Sequence, residues 1–216
     1  MRLTHFGHAC VLAEFSGARI LFDPGKYSTG FETLRELTAV LITHNHPDHI
    51  DLARLRALVG MNPDAELIAD KSTAANLLRH GMVARTLPHG DPIAIAGITV
   101  RAFVGDHAVI HPEVSCPSNT GYLLDGTRLH PGDAFIMPPV PVSVLLLPAG
   151  GPWMKVSESV DYLRAVSPDI AIPVHELGLA DIHRQLHYQL FGALKPVGTQ
   201  FHVLDHGVAT LLPLAS

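Results

Sequence analysis

The sequence predicts an α/β sandwich with its helices on the outside. Short β-rich runs broken by turn signals dominate the first quarter of the chain. A second β-rich set follows from Ile93, and segments of helical period accompany both sets. Sheets that each have an apolar face bury it against another layer, which is why two such halves in one chain point to a sandwich. There is no internal repeat, linker or low-complexity tract, so residues 1–216 are expected to form one domain.

The elements follow in order. Ala9 to Phe15 and Arg19 to Phe22 read as strands joined across Ser16-Gly17-Ala18 as a hairpin. Ala39 to Thr43 is an apolar strand that stops at a histidine cluster. Asp51 to Val59 places Leu52, Leu55, Leu58 and Val59 at helical spacing, with Gly60 as a stop. Glu66 to Ala69 is a short strand, and Ser72 to His80 a helix closed by Gly81. Ile93 to Val104 is β-rich around Gly97. Tyr122 to Leu124 and Thr127 to Leu129 flank Asp125-Gly126 as a tight hairpin. Val142 to Leu147 is a buried strand. Ser157 is expected to cap a helix through Val166, with Pro168 beyond its end. Ile170 to Val174 is a strand, and Asp181 to Leu194 a helix with Ile182, Leu186 and Leu190 on one face. Phe201 to Leu204 and Val208 to Leu212 read as a closing hairpin across Asp205-His206-Gly207.

Composition narrows the function. Of 216 residues, 47% are hydrophobic and 16% charged, the opposite of a disordered chain. Lys plus Arg number 15 and Asp plus Glu 20, a formal charge of −5. Such a chain has no overall field for nucleic acid or anionic lipid, so neither is an expected partner. Two cysteines, Cys10 and Cys116, make no disulfide framework and suit a reducing cytosol. The opening residues lack a signal peptide's apolar core, and no apolar stretch approaches the ~18 residues of a membrane helix. A cytoplasmic location is therefore expected. Fifteen histidines, as many as Lys and Arg combined, point to metal, and no histidine run at either end marks a tag.

The decisive segment is Thr43-His44-Asn45-His46-Pro47-Asp48-His49. Four potential ligands fall within six residues, directly after an apolar strand. His44 and His46 are two apart, so an extended backbone points both to one side. Pro47 constrains the turn that brings Asp48 and His49 back toward the same spot. Neutral imidazoles and carboxylates suit Zn, Fe or Mn. A polar strand-to-helix loop is the bland alternative, and the ligand density argues against it.

This segment matches the H-x-H-x-D-H signature of the metallo-β-lactamase fold, and the chain resembles that superfamily along nearly its whole length. Gly7-His8-Ala9-Cys10, Ile20-Leu21-Phe22-Asp23-Pro24 and Leu147-Pro148-Ala149-Gly150-Gly151-Pro152-Trp153-Met154 are similar too. Together they resemble the small ascorbate-phosphate-lactonase-like branch of metal-dependent hydrolases. The resemblance implies a four-layer αββα sandwich and a binuclear site with two divalent ions, zinc first, manganese or iron as alternatives. It implies His44, His46 and His107 as one ligand group. Asp48, His49 and His175 make the other, with Asp133 of His130-Pro131-Gly132-Asp133 as the bridge. The implied chemistry is attack of hydroxide on a small ester, lactone or phosphoester, with Asp48 orienting the water and shuttling its proton. A nuclease of the same fold and a non-catalytic metal sensor are the alternatives.

Other residues carry weaker expectations. His111 follows the same strand as His107 and either competes with it or lines the pocket. Asp23 is expected to orient a ligand histidine rather than to bind metal. His8 faces the pocket or is structural. Trp153 is substrate wall or core filler. Lys26, Tyr27 and Arg128 are possible substrate contacts. His183 and His187 stand four apart on a helix, but Arg184 replaces the Glu of a zinc-protease pair, so an exposed face is expected.

Overall fold

A computed structural model describes residues 1–15 and 17–213 of the chain. Six strands form one mixed sheet: β1 (Arg2–His5), β2 (Val11–Phe15), β3 (Ala18–Phe22), β4 (Ala39–Ile42), β5 (Glu66–Ala69) and the late β13 (Thr210–Leu211), in the order β13-β1-β2-β3-β4-β5. Seven form the other: β6 (Pro92–Ile95), β7 (Ile98–Asp106), β8 (Ser118–Leu124), β9 (Arg128–His130), β10 (Val144–Pro148), β11 (Ile170–Val174) and β12 (Gln200–Phe201), in the order β12-β11-β10-β9-β8-β7-β6. Among the described residues four helices complete the fold: α1 (Leu52–Met61), α2 (Lys71–Arg79), α3 (Val156–Val166) and α4 (Asp181–Leu194).

The strand period of two sorts the apolar residues into layers. Ile20, Phe22, Ala39 and Leu41 face Tyr122, Leu124, Val144, Leu146 and Ile172 between the sheets. Their neighbours Leu21, Val40 and Ile42 point the other way, onto Leu55, Leu58 and Leu77 of α1 and α2. Leu145 and Leu147 point outward from the second sheet, onto Val160, Leu163 and Phe191 of α3 and α4. Both faces of each sheet are thus covered, which explains why the central strands read as unbroken apolar runs. The expected αββα sandwich is the architecture observed. Among the described residues no helix is long and apolar enough to cross a membrane.

Several local expectations are corrected. α1 runs through Gly60 to Met61 and closes at Asn62, because the Asn62 side chain reaches back to the Leu58 carbonyl at 2.9 Å. Ser157 lies inside α3; the cap position is Lys155, whose N–H donates to Glu158 at 2.6 Å. The last two strands do not pair with each other. β12 pairs parallel with β11 and β13 antiparallel with β1, so the Asp205-His206-Gly207 turn carries the chain from one sheet to the other. The β2–β3 pair is antiparallel as expected, although Ser16 of its turn lies outside the described residues.

Strand direction positions the site. β1, β3 and β4 run the same way in the first sheet, and β7, β9, β10 and β11 the same way in the second. Their carboxyl ends meet at one edge of the sandwich, the usual ligand position in α/β sheets. Tyr122, fully buried between the sheets, donates its hydroxyl to the Ile42 carbonyl at 2.9 Å. The Thr120 N–H donates to the Thr43 carbonyl at 2.8 Å. These two bonds clamp the end of β4, and the histidine loop after it, onto the opposite sheet.

Candidate metal centre

His44, His46 and His107 form a triangle of imidazoles with ring centroids 4.7–4.8 Å apart. His44 Nε2 and His46 Nδ1 lie 3.0 Å from each other. The His44 and His107 rings are set by their other contacts. Thr43 Oγ1 lies 3.0 Å from His44 Nδ1, and the Ala108 carbonyl takes the His107 Nδ1 proton, which leaves Nε2 of both rings turned inward. A second group gathers Asp48, His49 and His175 with His8. Asp23 lies 2.8 Å from His49 Nδ1 and accepts the Thr43 hydroxyl at 2.7 Å and its N–H at 2.8 Å, so the His49 ring is fixed with Nε2 inward. His175 Nδ1 donates to the Gly150 carbonyl, with the same effect.

Asp133 stands between the groups. Its Oδ1 is 3.1 Å from His49 Nε2, and its Oδ2 is 3.1 Å from His175 Nε2 and 3.4 Å from His107 Nε2. The turn that presents it depends on Gly132, at φ +64, where a Cβ would sit 2.2 Å from Asn119 Oδ1. That same Asn119 oxygen accepts the Asp133 N–H at 3.0 Å. Gly25 is needed for a similar reason: a Cβ there would collide with the Asp48 carbonyl.

A metal fits these residues. His49 Nε2, His107 Nε2, His175 Nε2 and Asp133 Oδ1 are buried, close together, and without hydrogen-bond geometry to any partner. Buried polar atoms are rarely left so, and converging lone pairs on imidazole and carboxylate are what a divalent ion satisfies. The charge balance agrees. Burial pushes Asp133 toward the neutral acid, but His175 and His49 outweigh it and hold the carboxyl well below its usual range. Burial opposes a charge on His49 as well, yet Asp133 and Asp23 raise it to about 10. Buried carboxylates thus draw positive charge into the centre, whether from protons or from metal.

Every residue of the two expected ligand groups converges here, as does Asp133. Asp23 contacts the His49 ring from behind, and His8 faces the cleft with Nε2 3.0 Å from Asp48 Oδ2. Burial lowers His8 to about 4 despite that bond, so it is a neutral ring near pH 7. His111 is the exception. It is exposed, its Nδ1 accepts the Glu113 N–H at 3.2 Å, and Ile110 takes the place in the cleft wall expected of it. Arg128 is also withdrawn, paired with Asp125 at 2.8 Å and stacked over Phe15. Lys26 is outside the lining, whereas its neighbour Tyr27 is part of it. His183 is exposed as expected, but His187 is half-buried and bonded to the Ala149 carbonyl at 2.7 Å.

Sequence reasoning missed two supports. Trp153 is wall and brace at once: it lines the cleft, and its indole N–H donates to Asp133 Oδ2 at 2.7 Å. Glu176 accepts the His8 N–H at 3.1 Å and pairs with His206 at 3.0 Å, while His5 Nε2 donates to the His8 carbonyl at 2.8 Å. The His8 peptide is gripped on both sides, which sustains its φ of +55. With His5 Nε2 committed to a carbonyl, the trio braces a turn rather than offering a ligand set. The only sequence signal was the adjacency of Glu176 to His175.

The chain matches the family model of the beta-lactamase superfamily domain over residues 2–175. It is 51% identical over 193 residues to a protein of Mycobacterium tuberculosis, covering 87% of this chain and 90% of that one. It is 31% identical over 191 residues to a UPF0173 metal-dependent hydrolase of Methanosphaerula palustris, covering 81% and 83%. The structure of Igni18, a metallo hydrolase of Ignicoccus hospitalis, aligns with a TM-score of 0.77 at 20% identity over 99% of each chain, a likeness of fold.

Proposed function

The chain belongs to the beta-lactamase superfamily domain family, and from that premise we propose that it is a metal-dependent hydrolase using two divalent ions on a small ester, lactone or phosphoester. The observation that carries the two-ion reading is Asp133, whose two oxygens reach histidines of both groups. His44, His46 and His107 would hold one ion; Asp48, His49 and His175 the other, with Asp133 shared. Zinc suits this donor set, as do manganese and iron. Such ions, when bound, lower the pKa of water toward 7 and polarise the carbonyl or phosphoryl oxygen.

The chain's own residues then have defined tasks. Asp48 lines the cleft with its side chain 21% exposed, and orients the attacking water. It accepts the water's hydrogen bond and guides that proton toward the leaving oxygen as the ester bond breaks. Burial pushes Asp48 up, but His175 and His8 beside it hold it far below the usual carboxylate range, so it stays ionised as the hydrogen-bond acceptor that orients the water. His8 keeps that carboxylate turned to the cleft. Trp153 and Gly150-Gly151 close one side.

Elemental analysis of protein loaded with zinc or manganese should approach about two ions per chain. A single ion at saturating metal, with full activity, would sink the two-ion reading. Turnover should appear on at least one class in a panel of lactones, esters and small phosphodiesters, with weak salt dependence. Efficient cleavage of structured RNA that falls steeply with salt would point to a nuclease instead.

A further inference from the structure

We propose that the cleft takes a neutral substrate whose non-reacting part is apolar, an alkyl-substituted lactone or ester, and discriminates against phosphorylated or otherwise anionic ones. The inference rests on the hydrolase reading and narrows it. The cleft above the histidines holds about 560 Å³, ample for a small molecule. Beyond the centre its walls are Tyr27, Ile110, Pro152, Trp153 and Leu179, and among the described residues no lysine or arginine lines it. The charged side chains in the lining besides histidine are the Asp48 and Asp133 carboxylates.

An anionic group borne away from the reacting bond therefore meets apolar surface with no cationic side chain to pair with. Leaving water for such a wall without a partner is costly for an ion. An alkyl group gains instead, at about fourfold in affinity for each methylene buried. The wall is also tightly built. A Cβ at Gly150 would lie 2.7 Å from Leu179, and one at Gly151 would lie 2.7 Å from Trp153, so bare backbone lets both side chains close over the cleft.

The test uses metal-loaded protein and paired γ-lactones, one with an alkyl side chain and one with a chain of equal length ending in phosphate. Trp153 is the lone tryptophan of the chain, so its fluorescence reports binding separately from turnover. Expected is a kcat/KM that rises about fourfold per methylene from ethyl to pentyl, with the phosphate-terminated partner at least about tenfold poorer in both readouts. Ile110→Lys should narrow that gap by raising the anionic member. A flat response to chain length, or a phosphate-terminated lactone that binds and turns over as well as its neutral partner, overturns the proposal. Fluorescence that responds to the alkyl lactone without hydrolysis of any lactone or ester would uphold the apolar cleft and sink the hydrolase reading.

Discussion

The segment from His44 to His49 supplies four candidate ligands from six consecutive residues after one strand of the six-stranded sheet, whereas His107, Asp133 and His175 arrive singly after β7, β9 and β11 of the other sheet. The first set is placed by local backbone geometry. The second is placed only if the two sheets pack in register. One centre therefore depends on both kinds of order, and the inter-sheet bonds from Tyr122 to Ile42 and from Thr120 to Thr43 are what join them. Metal, once bound across the gap, would tie the sheets together further and link binding to folding stability.

The sharpest way to break this comparison is at the residue that belongs to both groups. Asp133→Asn keeps the volume but removes the carboxylate charge between His49, His107 and His175. Changes in residues that merely support a metal ligand cost about 10–100-fold. A shared ligand should cost more, so kcat/KM should fall beyond about a hundredfold, and metal content should fall below that of the parent. Parent-like metal content and activity would show that the two groups work independently.

The next largest contrast separates His107 from His111. His107→Ala should strip one ion and abolish turnover, because its Nε2 is buried and aimed at the centre. His111→Ala should leave metal content and KM unchanged, because the ring is exposed outside the cleft. Elemental analysis and steady-state kinetics of both variants decide it, and metal loss from the His111 variant would reverse the assignment.

Asp23 tests how self-sufficient the contiguous segment is. If the six residues were enough, Asp23→Asn would be silent. The carboxylate instead takes bonds from Thr43 N–H and hydroxyl and fixes His49 Nδ1, so metal affinity should fall about 10–100-fold, measured by chelator competition. Thermal stability should fall with it, since Asp23 is fully buried and the His49 ring would lose a charged partner.

Much of this was legible in the sequence because period and spacing are local. The helices were visible in apolar spacing (α1 and α4) or in cap and stop residues (α2 and α3), although in α4 Ile182 and Leu186 are exposed and Phe191 is the buried residue. The two β-rich halves pointed to a sandwich, and its four-layer αββα order came from the family resemblance. The histidine segment announced itself by density. What was not legible depended on contacts across the chain. The final pair of strands looked like a hairpin because both flank a turn, yet each finds a better partner in a different sheet. His107 and His111 are equivalent by strand and by residue type; only the fold shows that Ile110 faces the cleft and His111 does not. Glu176 has no motif at all, and its role appears only where the His5 and His8 turn folds against it.

Trp153 gives the smallest expected effect and the finest division between the two regions. Its indole N–H bonds to Asp133 at 2.7 Å, and its ring is cleft wall, so one side chain serves both the centre and the substrate. Trp153→Phe removes the first role and keeps most of the second. A hydrogen bond to a charged group is worth about 1.5–3 kcal/mol, a ceiling of roughly 12- to 150-fold. Because Asn119 still holds the Asp133 N–H, metal affinity should weaken only toward the low end, about tenfold, while KM for an alkyl lactone stays within a few-fold. Trp153→Ala removes both roles and should raise KM as well. The two variants thus separate bracing from contact by a metal-affinity against KM split. A Phe variant that binds metal like the parent would mean Asp133 is held well enough by Asn119 and its own turn, and would confine Trp153 to the wall. A Phe variant that loses KM as much as the Ala variant would mean that the bond to Asp133, more than the ring's area, keeps that wall in place.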